Sequence, residues 1–145
     1  MLNISRRPAR QRDQDLLYNI KSHSLKSYLN ETQGWDEEMQ RRVHAQHFDP
    51  NLITIIRCNH SDIGYLEKRL LPDNVVFIEN LLIHKDFQNQ GIGRRIMTEE
   101  INTAQKENYH IQLQVLKNNP KALRFYQSLG FAAISNNSSH FLMQI

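Results

Sequence analysis

The chain has 145 residues, of which 39% are hydrophobic and 23% are charged, and its formal net charge is +3. This length favours one domain, and the composition excludes a disordered polyelectrolyte. A single cysteine, Cys58, excludes an intramolecular disulfide and paired-cysteine zinc sites, which favours a reducing compartment. The apolar runs are strand-sized, and early arginines leave no room for a secretory signal. We therefore expect a single domain over residues 1–145, a cytoplasmic location and no membrane partner.

The basic residues are spread along the chain. Lys and Arg number 18 against 15 for Asp and Glu, and acidic residues are interspersed with them after Asp13. Nucleic-acid binders usually concentrate basic residues on one stripe of the surface. We therefore expect no nucleic-acid partner. Attraction of a small polyanionic ligand explains the positive net charge better than nucleic-acid binding does.

Two helices are predicted between a short first strand and a hairpin. Alternating apolar and polar residues indicate the strand, and apolar residues at helical spacing indicate the helices. Two runs rich in β-branched and aromatic residues, separated by a polar turn, indicate the hairpin. In chain order these elements are strand Leu2–Ser5, a helix from Asp13 to Leu29, a helix from near Trp35 to before Pro50, and strands Asn51–Arg57 and Ile63–Arg69.

The second half of the chain begins with an almost continuously apolar stretch, Val75–Ile83, which is typical of a central strand buried on both faces. Helical periodicity, an Asn-Pro start and a terminal glycine indicate two more helices. The remaining elements are helix Ile92–Glu107, strand His110–Val115, a helix from Asn119 to Gly130, and strands Phe131–Ile134 and His140–Gln144. The order βααβββαβαββ indicates a mixed α/β fold.

The segment Gln88–Gly93 carries the most chemical information. Its two glycines allow the backbone to approach a ligand closely, and the first amides of the following helix carry partial positive charge. Such a loop binds phosphate. It is not a Walker loop, because no Gly-Lys-Ser/Thr follows, and it lacks the third glycine of the dinucleotide fingerprint. Arg94 and Arg95 either add charge to this site or form a solvated helix face.

At these residues the chain resembles the GNAT superfamily of acetyl-CoA-dependent N-acetyltransferases. The resemblance is carried by Arg6–Ala9 before the first helix, Leu81–His84 before the Q-x-x-G-x-G loop, Asn119–Tyr126 in the last helix and Leu129–Phe131 after it. It implies the GNAT fold over nearly the whole chain, with a mixed, mostly antiparallel central sheet flanked by helices.

The resemblance also implies acetyl-CoA as co-substrate. The loop amides, with Arg94, would hold its pyrophosphate, and a backbone amide near Leu82 would polarise the thioester carbonyl. Lys85 stands where many members have proline, a change that should alter the rigidity of the loop. The implied cofactor-binding residues are Leu81, Leu82 and Ile83, paired through their backbone with the pantetheine arm, then Gln88, Asn89, Gln90, Gly91, Ile92, Gly93 and Arg94, and Asn119 on the other side of the arm.

Glu79 and Asn80 are the polar interruption of the apolar strand. A buried carboxylate needs a partner, so a structural pair with Arg or Lys is one explanation of Glu79. The other is a general base, because an amine acceptor arrives protonated and must lose a proton before it attacks the thioester. Both explanations stay open at this point.

Tyr126 lies on the apolar face of the last predicted helix, where tyrosine usually packs in the core. The resemblance instead implies a hydroxyl beside the cofactor sulfur that stabilises or protonates the leaving thiolate. With ordinary pKa values of about 10 for tyrosine and about 8.5 for a thiol, full proton transfer is uphill by about 2 kcal/mol. Hydrogen bonding can therefore matter as much as proton donation.

Three other residues have weaker signals. Trp35 precedes three acidic residues, and the resemblance places this region beside the acceptor, where it would suit a cationic amine; a capped helix with a packed Trp is the alternative. His44 and His47 lack an evident third ligand, so we expect surface roles and no metal site. Nothing in the sequence activates Cys58 as a nucleophile.

The sequence therefore predicts an N-acetyltransferase that moves an acetyl group from acetyl-CoA directly to a primary amine of a small molecule or peptide. Glu79 is the predicted base and Tyr126 the predicted acid. The alternative is a catalytically idle CoA-binding module that acts as a sensor or partner-binding subunit. We expect a monomer or a homodimer.

Overall fold

The computed structural model describes the backbone of residues 2–32 and 36–145, and the side chains of these ranges except those of residues 25–32. Trp35 lies outside the described residues, so its contact with the acceptor stays a prediction. The described chain follows the predicted element order. Its strands are β1 (Ile4–Pro8), β2 (Ile53–Cys58), β3 (Ser61–Leu71), β4 (Val75–Ile83), β5 (His110–Leu116), β6 (Ala132–Asn136) and β7 (His140–Gln144), and its helices are α1 (Gln14–Thr32), α2 (Glu37–His47), α3 (Ile92–Lys106) and α4 (Pro120–Ser128).

The seven strands are hydrogen-bonded in the order β1-β2-β3-β4-β5-β7-β6. The pairs β1–β2, β2–β3, β5–β7 and β6–β7 are antiparallel, whereas β4 and β5 are parallel. The parallel ladder joins Val75–Ile78 to His110–Leu113, so the last five residues of β4 lie beyond it. The apolar run thus predicted the central position of β4 in the sheet.

The burial predicted for β4 is wrong in part. Among its nine residues only Ile78, Leu82 and Ile83 are buried, and Glu79 is exposed. An apolar run predicts burial on both faces only where other elements cover both faces along its whole length. Strand β1 also extends further than predicted, to Pro8, because an edge strand tolerates a residue without a backbone N–H.

The chain divides into two compact units. Unit 1 comprises residues 1–67 and 80–92, and unit 2 comprises residues 68–79 and 93–145. The single domain expected from the sequence stays a prediction. Unit 1 has an apolar cluster in which α1 packs against β2, β3 and the end of β4. Its buried members are Ala9, Leu17, Ile20, Ile53, Ile55, Tyr65 and Leu82.

Unit 1 also contains a charged network that sequence analysis missed. The Arg7 guanidinium donates to both carboxylate oxygens of Asp13, at 3.0 and 2.9 Å, and to Asp62 Oδ2 at 2.9 Å. Arg57 Nε donates to Asp62 Oδ1 at 3.0 Å. The hydrogen bonds from Arg7 hold the pKa of Asp13 below its usual range. The network fastens β1 to the start of α1 and to the β2–β3 hairpin.

In unit 2 the apolar face predicted for α3 is buried. Ile96 and Met97 are fully covered, and Ile101 and Ala104 continue the same face. Glu100 is also buried, and Lys68 Nζ donates to its Oε1 at 2.5 Å. A charged partner is what a buried carboxylate requires.

Strand β6 forms one edge of the sheet, and all five of its residues are exposed. Its pairing with β7 is irregular, because the register shifts between Ala133 and Ser135. Ile134, at the irregularity, is 51% exposed. The edge therefore carries a bulge and an apolar side chain in contact with solvent.

In the described part of the chain, none of the helices combines the length and the apolar character that crossing a membrane requires.

Candidate active site

The loop between β4 and α3 has the backbone geometry of a ligand-binding turn. Asn89 and Gly91 both adopt left-handed conformations, with φ of 63° and 79°. Gly91 is exposed, and a side-chain carbon built on it would meet no described atom within 4 Å. Helix α3 begins immediately afterwards, at Ile92, so its first amide groups follow the turn. The loop is thus open around Gly91, immediately before a helix start, and the dipole at a helix start favours an anion.

The charges at the start of α3 suit an anionic ligand. Arg94 and Arg95 are exposed, and the first turn carries no acidic residue. Arg94 donates a hydrogen bond to Ser128 Oγ at 2.5 Å, and its guanidinium lies 5.7 Å from the centre of the Phe125 ring. These contacts position the Arg94 charge within unit 2. Backbone N–H groups and a guanidinium are the donors that fit a pyrophosphate.

The end of β4 is held by hydrogen bonds within unit 1. The carbonyl oxygen of Ile83 accepts from Ser24 Oγ at 3.0 Å and from Gln88 Nε2 at 2.8 Å. The His84 amide donates to the carbonyl oxygen of Ile63 at 2.7 Å. The segment predicted to pair with the pantetheine arm therefore has a fixed backbone. Ser24 was missed from the sequence, because a serine on an amphipathic helix gives no signal of such a contact.

Glu79 is not the buried carboxylate that the sequence suggested. Its side chain is 31% exposed, and its Oε1 lies 2.7 Å from Nη2 of Arg69, whose side chain is 54% exposed. Adjacent residues of a strand point to opposite faces, and Asn80 accordingly contacts a different partner, Glu67. Glu79 therefore has the ion-pair partner that a structural role requires, and its role as a base stays a prediction.

Tyr126 belongs to an aromatic cluster in unit 2. Its ring centre lies 5.0 Å from that of Phe125 and 5.5 Å from that of Phe131, both in edge-on geometry. Burial raises the pKa of Tyr126 to about 12. At neutral pH its hydroxyl is therefore protonated and able to donate a hydrogen bond.

Asn119 caps helix α4, as its position before Pro120 predicts. Its side-chain carbonyl accepts a hydrogen bond from the amide of Ala122 at 3.1 Å. This bond satisfies one of the free amides at the helix start and fixes the side chain.

The surface role expected for His44 is wrong. His44 is buried, its Nε2 donates to the carbonyl oxygen of Gln14 at 3.0 Å, and its ring lies against those of Tyr18 and Phe48. Burial lowers the pKa of His44. Among the described side chains, no three His, Cys, Asp or Glu residues are grouped as metal ligands. Cys58 is a buried free thiol at the end of β2.

Residues 17–131 match the family model of the acetyltransferase (GNAT) family. The chain belongs to this family. GNAT membership makes the protein an acetyltransferase and makes acetyl-CoA its acetyl donor, as the motifs around Gln88–Gly93 and Asn119–Tyr126 predicted. A search of curated proteins finds no match to the chain.

Solved structures confirm the GNAT fold. The PaiA N-acetyltransferase of Thermoplasma acidophilum, in complex with coenzyme A, is 18% identical over 98% of both chains, with a TM-score of 0.80. The ribosomal-protein-S18-alanine N-acetyltransferase of Escherichia coli is 18% identical over 100% of this chain and 93% of that chain, with a TM-score of 0.72. Arabidopsis thaliana Naa50, in complex with the bisubstrate analogue CoA-Ac-MVNAL, is 18% identical over 98% of this chain and 97% of that chain, with a TM-score of 0.68.

Proposed function

We propose that this GNAT protein transfers an acetyl group from acetyl-CoA directly to a primary amine of a small molecule or peptide. The observation that carries the proposal is the exposed turn with left-handed Asn89 and Gly91, immediately before α3, in a chain of the acetyltransferase family. This turn offers backbone donors to the pyrophosphate of the donor substrate.

The proposed donor site uses backbone groups more than side chains. The amides of residues 88–93, with Arg94, bind the pyrophosphate. The backbone of Leu81, Leu82 and Ile83 pairs with the pantetheine arm, and support comes from the position of this segment beyond the β4–β5 ladder. Asn119 uses its carbonyl oxygen to cap α4, so its side-chain nitrogen is the group that we propose contacts the arm.

Acetyl-CoA supplies the acetyl group as a thioester, which is activated toward amines. The acceptor nitrogen loses a proton to Glu79, directly or through water, and forms the new N–C bond at the acetyl carbonyl. The backbone amide near Leu82 stabilises the negative charge on the carbonyl oxygen. The nitrogen, now bonded to carbon, releases its second proton to solvent. The C–S bond breaks, and the electron pair leaves with the sulfur of CoA.

Tyr126 is proposed to assist the departure of the thiolate. Its pKa of about 12 exceeds that of a thiol by more than three units. Full transfer of its proton to the thiolate is therefore uphill by about 5 kcal/mol. A hydrogen bond from the hydroxyl is the favourable interaction, and solvent supplies the proton.

The test is acetyl-CoA turnover, measured as release of the CoA thiol, across polyamines, amino acids, aminoglycosides and peptides. Peptides with a free N-terminus belong in the panel because one structural neighbour is an alanine N-acetyltransferase of a ribosomal protein. Calorimetry with acetyl-CoA distinguishes the alternative function. Binding without turnover of any amine favours the idle sensor module, and absence of binding contradicts both functions.

A further inference from the structure

Arg69 and Glu79 form an ion pair between neighbouring strands of unit 2. Arg69 Nη2 lies 2.7 Å from Glu79 Oε1, and the guanidinium carbon lies 6.0 Å from the centre of the Phe77 ring. Both charged side chains remain in contact with solvent. An ion pair in such a position adds little to stability. Stability alone therefore gives little reason for a cation beside the proposed base.

The ion pair does not use all the hydrogen-bonding groups of its two members. In the described part of the chain, Glu79 is the only ion-pair partner of Arg69. A guanidinium carries five N–H donors in a planar fork, and one carboxylate occupies a single edge of that fork. A carboxylate likewise has lone pairs for several donors. A ligand can thus contact both Arg69 and Glu79 while the ion pair stays intact.

Two amide side chains lie beside the ion pair on the sheet. Phe77 pairs with Gln112 in the parallel β4–β5 ladder, and Gln112 pairs with Gln144 in the β5–β7 ladder. Gln112 Nε2 donates to Gln144 Oε1 at 2.8 Å. All three side chains are partly buried, whereas Ile111 and Leu113, on the other face of β5, are fully covered. The row beside Arg69 is therefore a polar surface that solvent reaches, which suits a small polar ligand.

The Arg69 charge opposes the binding of a simple amine at Glu79. An acceptor amine arrives as an ammonium ion and must approach the carboxylate that takes its proton. Because the guanidinium already lies against that carboxylate, a second cation is repelled by it. A carboxylate on the same acceptor offsets the repulsion, since it binds the free edge of the guanidinium. The ion pair thus complements an acceptor that carries both charges.

We propose that the acceptor is a small amine that bears a carboxylate, such as a free amino acid, and that Arg69 binds this carboxylate while Glu79 receives the amine. The inference rests on the proposed function and narrows its class of acceptor. Opposite charges then alternate around four groups, namely the guanidinium, the Glu79 carboxylate, the ammonium and the acceptor carboxylate. Polyamines, and peptides that present only an N-terminal ammonium, lack the group that Arg69 binds.

Three primary amines test the role of Arg69: L-alanine, L-alanine methylamide, which lacks the carboxylate, and putrescine, which has a second cation in its place. The kcat and KM of each are measured with saturating acetyl-CoA in wild type, Arg69→Gln and Arg69→Lys. We expect Arg69→Gln to raise the KM of alanine by about 10- to 100-fold, the usual contribution of a charge-assisted hydrogen bond, with kcat little changed. The KM of the methylamide should not rise, and that of putrescine should fall, because a repelling cation is removed. Arg69→Lys keeps the charge without the fork, so its KM for alanine should be intermediate.

Lys106→Gln is the matched control, because it removes a positive charge at an exposed position of the same unit and should leave all three KM values unchanged. If Arg69 were only structural, its variants would change the KM of all three amines alike, whatever their charge. Melting curves should be similar for all variants, since the ion pair is exposed. NMR titration of the CoA-loaded protein, in which no transfer occurs, measures the binding of each amine without turnover.

Two results overturn the proposal. One is wild type that binds and uses the methylamide or putrescine as well as alanine, and the other is an unchanged KM for alanine in folded Arg69→Gln. The proposed function fails separately, when wild type releases no CoA thiol with any amine. The NMR titration still decides about Arg69 in that case, since equal binding of alanine and its methylamide contradicts a carboxylate site.

Discussion

Gly64 in β3 faces the carbonyl oxygen of Leu82 in β4 so closely that no side-chain carbon fits between them. A carbon at position 64 would also crowd Ile83. Both neighbours belong to the segment proposed to bind the pantetheine arm, so the close approach of β3 determines where that segment lies.

Gly64→Ala should therefore impair both folding and donor binding. Because the obstacle is backbone, the strands must shift, and we expect the free energy of unfolding to fall by about 1–3 kcal/mol. Urea unfolding measures this loss, and calorimetry measures a parallel loss of acetyl-CoA affinity. Gly93→Ala is the stability control, because its added carbon would lie at an ordinary 3.7 Å from the Phe125 ring. Equal stability of Gly64→Ala and wild type would contradict the prediction.

Gly91→Glu should abolish acetyl-CoA binding, because it places a side chain and a negative charge where the pyrophosphate is proposed to lie. The surrounding space is open, so the cost to folding is limited to the positive φ of 79°. We expect this strain to cost about 1–2 kcal/mol. Gly91→Asn adopts the same backbone with less strain and adds no charge, so it should retain most of the affinity. Calorimetry on the two folded variants tests whether this loop binds the pyrophosphate. Unchanged acetyl-CoA affinity in Gly91→Glu would contradict that assignment.

Tyr126→Phe should lower kcat by about 10- to 1000-fold, because it deletes the hydroxyl proposed to stabilise the leaving thiolate. The edge-on contacts of the ring with Phe125 and Phe131 are kept, so the melting temperature and acetyl-CoA affinity should change little. Steady-state kinetics with saturating acetyl-CoA measures the effect. Turnover at the wild-type rate would make Tyr126 a packing residue alone.

Glu79→Gln should lower kcat/KM at neutral pH if Glu79 accepts the substrate proton. The defect should shrink as the pH approaches the amine pKa of about 10.4, because more acceptor is then neutral. The exposed pair with Arg69 contributes at most about 1 kcal/mol to stability, so a melting curve should change little.

Arg69→Gln is the matched control for this experiment, since it breaks the same ion pair and keeps the carboxylate. If Glu79 is the base, Glu79→Gln should show a rate defect that varies with pH, and Arg69→Gln should not. Equal, pH-independent defects in both variants would assign Glu79 a structural role.

The stability of the protein should decrease between pH 7.5 and 5.5 because of His44. Burial lowers its pKa, so on acidification the unfolded chain takes up this proton at a higher pH than the folded chain does. The free energy of unfolding then falls with pH, by up to about 1.4 kcal/mol per unit for one group. Asp13, whose pKa is lowered by Arg7, acts at lower pH, outside this range.

Urea unfolding at three pH values tests this assignment. His44→Gln retains a donor for the carbonyl oxygen of Gln14 but does not titrate, so its stability should vary less with pH than that of wild type. His47→Gln, at an exposed position of the same helix, is the control. An identical pH slope in wild type and His44→Gln would contradict the prediction.

Local chemistry explains which features the sequence predicted well. Strands β4 and β7 have the predicted bounds, because polar turn residues precede both apolar runs. Helix α4 begins at Pro120 after the Asn119 cap, and α3 begins at Ile92 after the glycine turn, as expected from these residues. The order of elements followed from these signals, and with it the family resemblance.

Contacts between distant residues could not be predicted in the same way. Arg7 and Asp62 are 55 residues apart, and Ser24 and Ile83 are 59 apart. Each contact depends on which strands are neighbours and which helix covers them. The hydrogen bond from Asn80 to Glu67 likewise depends on the register of β4 relative to β3. Two polar residues in an apolar strand predicted a functional site. Only the structure shows that Glu79 and Asn80 lie on opposite faces of β4 and that their partners differ, Arg69 for Glu79 and Glu67 for Asn80.

Strand β6 is an exposed edge of the sheet. A regular exposed edge can pair with strands of other molecules, which leads to sheet extension and aggregation. The register shift interrupts the spacing of its backbone groups, so an incoming strand finds regular pairing only over the two residues on either side of Ile134. Such short pairings do not sustain a fibre. The bulge therefore opposes sheet extension at this edge. Deletion of Ile134, which would make the edge regular, should increase aggregation.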